Sequence, residues 1–307
     1  MRIFASETPR PLNVLAVGSN GLVAAASHTF GVAGGVEVWN AARGELAFVY
    51  PANREVLALA LHPNGTHLIF GRANAGVATV VDIATGNGFL GLGATFSASE
   101  FALSPDGQRL VVASTDATRA AVEYWQVGEF RFEPLWSDGP HESRRLAAPT
   151  FDPDRARIAL DESVSFGRET ATIQIRAADT GTLLVGIPRD PSIPVRQLAF
   201  TSDGTRLLVR TDGTTVRLFD AATAAPAGEL RHRGRSYVSG MAVHPRGPVA
   251  CARTDGTVTF WDVETSARVR TLDWKAGRLV SVAFSPDGAL GAAGTEDGKI
   301  VVWDVDV

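Results

Sequence analysis

Seven apolar stretches recur along this chain at a nearly fixed interval: VEVWN (Val36–Asn40), ATVVD (Ala78–Asp82), VEYWQ (Val122–Gln126), IQIRA (Ile173–Ala177), VRLFD (Val216–Asp220), VTFWD (Val258–Asp262) and IVVWD (Ile300–Asp304). Their fourth residues are Trp39, Val81, Trp125, Arg176, Phe219, Trp261 and Trp303, separated by 42, 44, 51, 43, 42 and 42 positions. A period of that length means stacked copies of one supersecondary unit, each unable to bury its apolar face alone. Length by itself would suggest about two domains. The repeat instead predicts one domain spanning residues 1–307.

Upstream of each stretch lies a turn: GSNG from Gly18, HPNG from His62, SPDG from Ser104, DPDR from Asp152, TSDG from Thr201, HPRG from His244 and SPDG from Ser285. Proline presets φ for a turn, and glycine accepts the positive φ that closes it. A further landmark is Asp-Gly between two apolar runs, at Thr211, Thr254 and Glu296 in TDGT, TDGT and EDGK, which signals a short hairpin. Each unit therefore reads as strand a, turn, strand b, hairpin, strand c, polar connection and a weaker strand d. The middle strands are apolar on both faces, which suits sheets buried between neighbouring sheets.

A Trp-Asp pair closing strand c at Trp261-Asp262 and Trp303-Asp304, with SVAFSPDG at Ser281–Gly288, resembles the WD-repeat family. The resemblance covers essentially the whole chain and implies an all-β fold: a seven-bladed β-propeller of four-stranded antiparallel blades around a central channel. The last unit lacks strand d. The N-terminal MRIFASETPRPL aligns with the strand d segment that begins at Arg268, so Arg2–Ala5 is expected to serve as the outer strand of the last blade, beside Ile300–Trp303. Such closure removes a sheet edge and ties down both termini.

The family usually places Gly-His between strand d and the next strand a, where the histidine joins a hydrogen-bonded network with the hairpin Asp and the strand c Trp. Here Trp274-Lys275, Arg233-Gly234, Asp190-Pro191 and His141-Glu142 fall at that count, so the network is expected to be incomplete. Unit four is irregular. LDESVSFGRETAT (Leu160–Thr172) replaces the short hairpin, and SDGPHESRRL (Ser137–Leu146) lengthens the connection before it; both read as loops, the usual place for insertions on a binding face.

Propeller topology sorts the a–b and c–d turns onto one face and the d–a and b–c connections onto the other. The first set is rich in aspartate. The second carries an arginine-rich rim, from which candidate partner-binding residues follow: Arg144, Arg145, Phe166 and Arg168 in unit four, then Arg189 and Arg196. Further round lie Arg231, Arg233, Arg235 and Tyr237, and beyond them Trp274, Lys275 and Arg278. Arginine binds carboxylate and phosphate in two-point fashion, and arginine and aromatic side chains dominate interface hot spots. The competing reading of the rim is a set of solvated loop charges, partly neutralised by nearby acids.

The six histidines show no metal-ligand spacing, and the chain has no nucleophile elbow or phosphate-binding glycine loop. The single cysteine, Cys251, cannot form an internal disulfide and reads as a core residue, which fits a reducing compartment. The N-terminus lacks the apolar core of a secretory signal, no apolar run reaches ~18 residues, and net charge is −4. The expectation is a cytoplasmic, monomeric, non-catalytic scaffold that needs no cofactor. It binds another protein or peptide, acidic or phosphorylated, rather than nucleic acid or membrane. The alternative is an enzyme with a small-molecule or metal site at the channel mouth.

Overall fold

In the computed structural model the chain forms seven four-stranded antiparallel sheets, six with their strands in sequential order and the seventh closed by the N-terminal strand. The structure describes residues 1–6, 9–27, 34–52, 55–72, 77–93, 98–116, 119–128, 132–164 and 170–305. Among these residues there is no helix, hence none long and apolar enough to cross a membrane. The a strands, such as Val14–Val17 in blade 1 and Leu279–Phe284 in blade 7, contact one another in an unbroken circuit that includes blade 7 against blade 1. The molecule is the seven-bladed propeller that the resemblance implies.

The core lies between blades. Leu208, Leu218 and Leu230 of blade 5 pack on Met241, Val249 and Trp261 of blade 6, and the same alternation repeats at the other seams. Strand b is buried on both sides in Leu207–Val209 and Val249–Ala252, as is strand c in Ile300–Trp303. Of the recurring tryptophans, Trp39, Trp261 and Trp303 are buried and Trp125 is partly buried, so this repeat position serves packing.

Blade 7 consists of Leu279–Phe284, Leu290–Thr295 and Lys299–Asp304, and takes Arg2–Ala5 as its outer strand. The pairing runs Arg2↔Val302, Ile3↔Val301, Phe4↔Ile300 and Ala5↔Lys299, one residue earlier than the expected Ile300–Trp303. Ser6 N–H donating to Gly298 O at 2.8 Å fixes that register, and Leu12 N–H to Thr295 O extends it. Phe4 turns inward and stacks on Trp39 of blade 1, with ring centroids 5.5 Å apart. The clasp thus joins the first and last blades through a shared apolar cluster.

A recurrent latch joins the a–b turns. Asn20 donates to Gly65 O, His62 to Gly107 O, Arg157 to Gly204 O and His244 to Gly288 O, at 2.9, 3.2, 2.7 and 2.9 Å. In each case one blade reaches the turn glycine of the next. Gly288 has φ +74°, and a Cβ there would lie 2.6 Å from His244 Nε2, so both the turn and the latch require glycine. The aspartates of this face are engaged as well. Asp220 accepts from Thr223, and Asp82 from the backbone and side chain of Thr85; these bonds hold both carboxyls below their ordinary range. What reads in sequence as an acidic face is largely turn chemistry.

Blade 4 corrects the loop assignments. The segment Ser137–Leu146 is not a long loop: strand d of blade 3 is Phe132–Glu142, strand a of blade 4 is Arg144–Phe151, and Ser143, at φ 59°, turns the chain between them. The hairpin insertion is mostly strand too, since Arg157–Val164 pairs with Thr170–Ala177 as far as Val164↔Thr170. Its tip, 165–169, lies outside the described residues, and Phe166 and Arg168 lie there with it.

Candidate functional site

The a strands leave a channel along the propeller axis. Its apolar end on the a–b side, about 300 Å³, is lined by residues such as Leu61, Pro63, Phe101 and Phe284. On the d–a/b–c side the channel opens into a mouth of about 730 Å³, with Arg145, Arg196, Arg210, Glu100, Asp212 and Tyr237 in its wall. Three arginines against two carboxylates leave the mouth positive by one charge.

Both carboxylates are already engaged. Glu100 accepts a hydrogen bond from Ala148 N–H at 2.6 Å. Asp212 takes a two-point bond from Arg196 at 3.0 and 2.8 Å, which holds its carboxyl below the ordinary range and raises Arg196 in return. Arg210 ends strand b of blade 5, where Val238 O and Gln197 accept its guanidinium at 3.2 and 3.3 Å. Burial pushes Arg210 down to about 10, so it is still a cation at neutral pH. Arg145 is exposed and forms no ion pair among the described residues. Tyr237, 58% exposed, lines the opening, and its side chain has no partner among the described residues.

The other candidates are dispersed. Arg189 makes a two-point bond to Asp161, at 2.6 Å for each contact, and also donates to Asp190 O and Ile193 O; it is a structural strut between strand d and strand b of blade 4. Burial pushes Asp161 up, with Arg189 and Arg145 pulling against it. Arg144 pairs with Glu162 at 2.6 Å and belongs to a polar chain through blade 4: Glu162 accepts from Gln174, Gln174 from Arg176, and Asp138 of blade 3 also takes Arg176 at 2.5 Å. Partial burial opposes ionisation of Asp138, yet the Arg176 bond holds it below its usual range. Arg176 occupies the repeat position filled by tryptophan in four other blades, so blade 4 replaces aromatic packing with ion pairs. Trp136, on strand d of blade 3, lies at the c–d turn of blade 4 rather than on the rim: it stacks on Tyr124 and donates its indole N–H to Ala178 O.

Further round the ring, Trp274 does not project from the rim. It packs on Trp303 with ring centroids 4.7 Å apart, in the place where the family histidine is expected. Lys275 pairs with Asp273, Arg278 with Glu296 at 3.3 Å, and Arg231 with Glu229 at 2.5 Å. Arg233 and Arg235 are exposed, and their side chains make no ion pair among the described residues. The structure therefore brings Arg145, Arg196 and Tyr237 to one opening and leaves the other described candidates on struts, on surface pairs or further out.

Arg210 is not among the candidates read from the sequence. The signal was available: it stands two positions before the hairpin Asp, where blade 7 has Thr295. The network reading needs one amendment. His232, one residue before the counted position, is buried edge-on against Trp261 at 4.9 Å. The indole nitrogens of Trp125, Trp261 and Trp303 nevertheless have no acceptor among the described residues, so the network is incomplete. Cys251 is fully buried in the seam between blades 5 and 6, and burial pushes its thiol up to about 12, as befits a packing residue. Among the described residues no group of three His, Cys, Asp or Glu side chains converges as a metal site would require.

Residues 226–262 and 266–304 match the family model "WD domain, G-beta repeat". The chain is 30% identical over 127 residues to WD repeat-containing protein SL1-17 of Schistosoma mansoni, covering 41% of this chain and 42% of that protein. It is 27% identical over 112 residues to the Protein LST8 homolog of Drosophila melanogaster, 36% of each chain. To the Periodic tryptophan protein 2 homolog of Schizosaccharomyces pombe it is 32% identical over 73 residues, 23% of this chain and 8% of that one. Each alignment spans less than half of the relative's length. Two repeats that fit the family model, similarity to a WD repeat-containing protein, and seven four-stranded blades closed in a ring show WD repeats carried on a seven-bladed propeller.

Proposed function

We propose that this propeller is a non-catalytic, cytoplasmic protein-interaction module that takes an acidic segment of a partner at the channel mouth on its d–a/b–c face. The observation that carries the reading is that exposed Arg145 and exposed Tyr237 line one opening whose own carboxylates are both engaged. An incoming carboxylate or phosphate meets Arg145 at the surface and the field of Arg210 behind it. In a partly desolvated site such a charge-assisted bond is stronger than on an open surface. Tyr237 supplies apolar area at low entropic cost. One relative carries the name of a WD repeat-containing protein, which agrees with a scaffold role without naming a partner.

The test is a photo-crosslinker, p-benzoylphenylalanine, placed at position 237 in the full chain within source cells. One or more discrete adducts are expected, and Arg145→Glu should reduce their yield at least tenfold. Reversing Arg43, in the c–d turn of the opposite face, should leave the yield unchanged. Equal yields from the Arg145→Glu and parent chains, or crosslinks arising only from the a–b face, would overturn the reading.

A further inference from the structure

A second basic pocket, about 410 Å³, lies at the seam of blades 5 and 6 and shares no residue with the channel mouth. Arg231 and Arg233, after strand d of blade 5, form one side. Arg253, Trp261 and Arg268 of blade 6 form the other, with the buried Thr259 and His232 between them. No carboxylate lines the pocket among the described residues. The acids nearby are Glu229, paired with Arg231, and Asp255, paired with Arg253 at 3.0 Å. Arg233 and Arg268 are exposed and have no ion pair among the described residues, so the pocket is positive by two charges.

A second, independent observation concerns the buried atoms. His232 Nε2, Trp261 Nε1 and Arg253 Nε have no hydrogen-bond partner among the described residues, although His232 is only 5% exposed and Trp261 only 6%. Leaving a buried donor unpaired is costly, and here three belong to residues that line one basic pocket. The repeat explains how this arose. At the end of strand b in blade 7, Thr295 donates its hydroxyl proton to the hairpin Asp297 at 2.6 Å. Blade 6 has Arg253 at that position, so a cation replaces the small hydroxyl between the histidine and the tryptophan. The indole nitrogens of Trp125 and Trp303 also lack acceptors, but neither residue lines a cluster of arginines. Burial, with Arg253 and Arg268 beside it, pushes His232 down to about 4, so the imidazole is neutral at pH 7 and offers an N–H donor rather than a further charge.

We propose that this seam pocket binds a tetrahedral oxyanion, a phosphoryl group, with Arg233 and Arg268 gripping it from outside and the orphan donors of His232, Trp261 and Arg253 meeting its inner oxygens. Unpaired donors on three side chains that line one pocket suit a group that presents several acceptor oxygens in different directions, and guanidinium forks suit phosphate. The volume exceeds a bare phosphate ion, so both free phosphate and a phosphorylated side chain fit the same chemistry.

The test uses the full chain, labelled with nitrogen-15, and follows the Trp261 indole resonance, assigned by its loss in Trp261→Phe. Sodium phosphate is titrated against sodium chloride at matched ionic strength, then N-acetyl-phosphoserine amide against its unphosphorylated form. A saturable shift with phosphate and none with chloride is expected. The double variant Arg233→Ala/Arg268→Ala, both exposed positions, should bind at least tenfold more weakly with an unchanged melting temperature, while Arg278→Ala binds as the parent does. Tighter binding of phosphoserine amide identifies a phosphorylated partner, and equal or weaker binding identifies the free ion; either supports the pocket. An equal response to chloride, or undiminished binding by the double variant, means an adventitious ion only and overturns the proposal. The two sites share no residue, so failure of the channel-mouth reading leaves this one standing, and the reverse holds too.

Discussion

The clasp between the two chain ends can be weighed residue by residue. Phe4 is 7% exposed and lies parallel to the Trp39 ring, within an apolar cluster drawn from blades 7 and 1. Truncating a buried phenylalanine to alanine costs about 3–5 kcal/mol, the transfer term plus the cavity left behind. Backbone pairing of Arg2–Ala5 with Lys299–Val302 survives the substitution, which favours the lower end. At about 3 kcal/mol, and roughly 2–3 °C per kcal/mol for a chain of this size, Phe4→Ala should lower the melting temperature by roughly 6–9 °C. Ile3 is the internal control: it sits on the same strand, faces the other way and is 44% exposed. Ile3→Ala should therefore cost less than about 1 kcal/mol. Urea unfolding followed by tryptophan fluorescence, with thermal melting by circular dichroism, measures both. Equal losses for the two variants, or a melting curve unchanged when Met1–Ser6 is removed, would refute the claim that Phe4 is what locks the ring.

Two further outcomes follow from charge. Arg189→Ala strands Asp161 with its carboxylate buried and should destabilise the fold by about 3–5 kcal/mol in chemical denaturation, whereas exposed Arg235→Ala should change it by less than ~0.5 kcal/mol; similar values for the two would return Arg189 to the list of docking candidates. His232 has a folded pKa of about 4, against ~6.5 for an exposed imidazole, so between those values the unfolded chain takes up a proton that the folded chain refuses. Stability should fall as pH drops through that window, so in phosphate-free buffer the stability of the parent relative to His232→Gln should decline by on the order of 2 kcal/mol from pH 7 to pH 4. A constant difference across that range would mean that His232 does not titrate as its burial requires.

How much was legible beforehand depended on whether the information was local. Turn chemistry and a fixed interval are local, and they were enough for seven blades, the order of strands and the exchange of strand d between the termini. The closing register was off by one because it rests on Ser6 N–H reaching Gly298 O, a contact between opposite ends of the chain. The unit-four insertions read as loops because turn-prone Ser137, Asp138, Gly139 and Pro140 sit inside what is a strand, with Ser143 alone making the corner. Charge counting along the rim found the arginines but could not see their partners. Arg189 and Asp161 are 28 positions apart, Arg144 and Glu162 18, and Arg176 and Asp138 38. A cation held by a distant carboxylate looks in sequence the same as one free to bind.

The repeat itself supplies the frame in which the remaining differences become informative. Two positions before the hairpin Asp, blade 7 keeps a small hydroxyl in Thr295, bonded within its own turn, while blades 5 and 6 carry Arg210 and Arg253. The same exchange has two consequences, set by what each guanidinium can reach. Arg210 finds Val238 O and Gln197, stays beneath the channel mouth and makes that opening positive. Arg253 is held by Asp255 and Ser236 yet keeps Nε unpaired beside His232 and Trp261, at a seam already flanked by Arg233 and Arg268. Neither arginine is needed to build a blade, since blade 7 forms without one. A cation placed inside a sheet that could have used threonine carries a desolvation cost. Both openings gain from that cost the same property, a fixed positive field behind exposed arginines, which is what recognition of an anionic group requires.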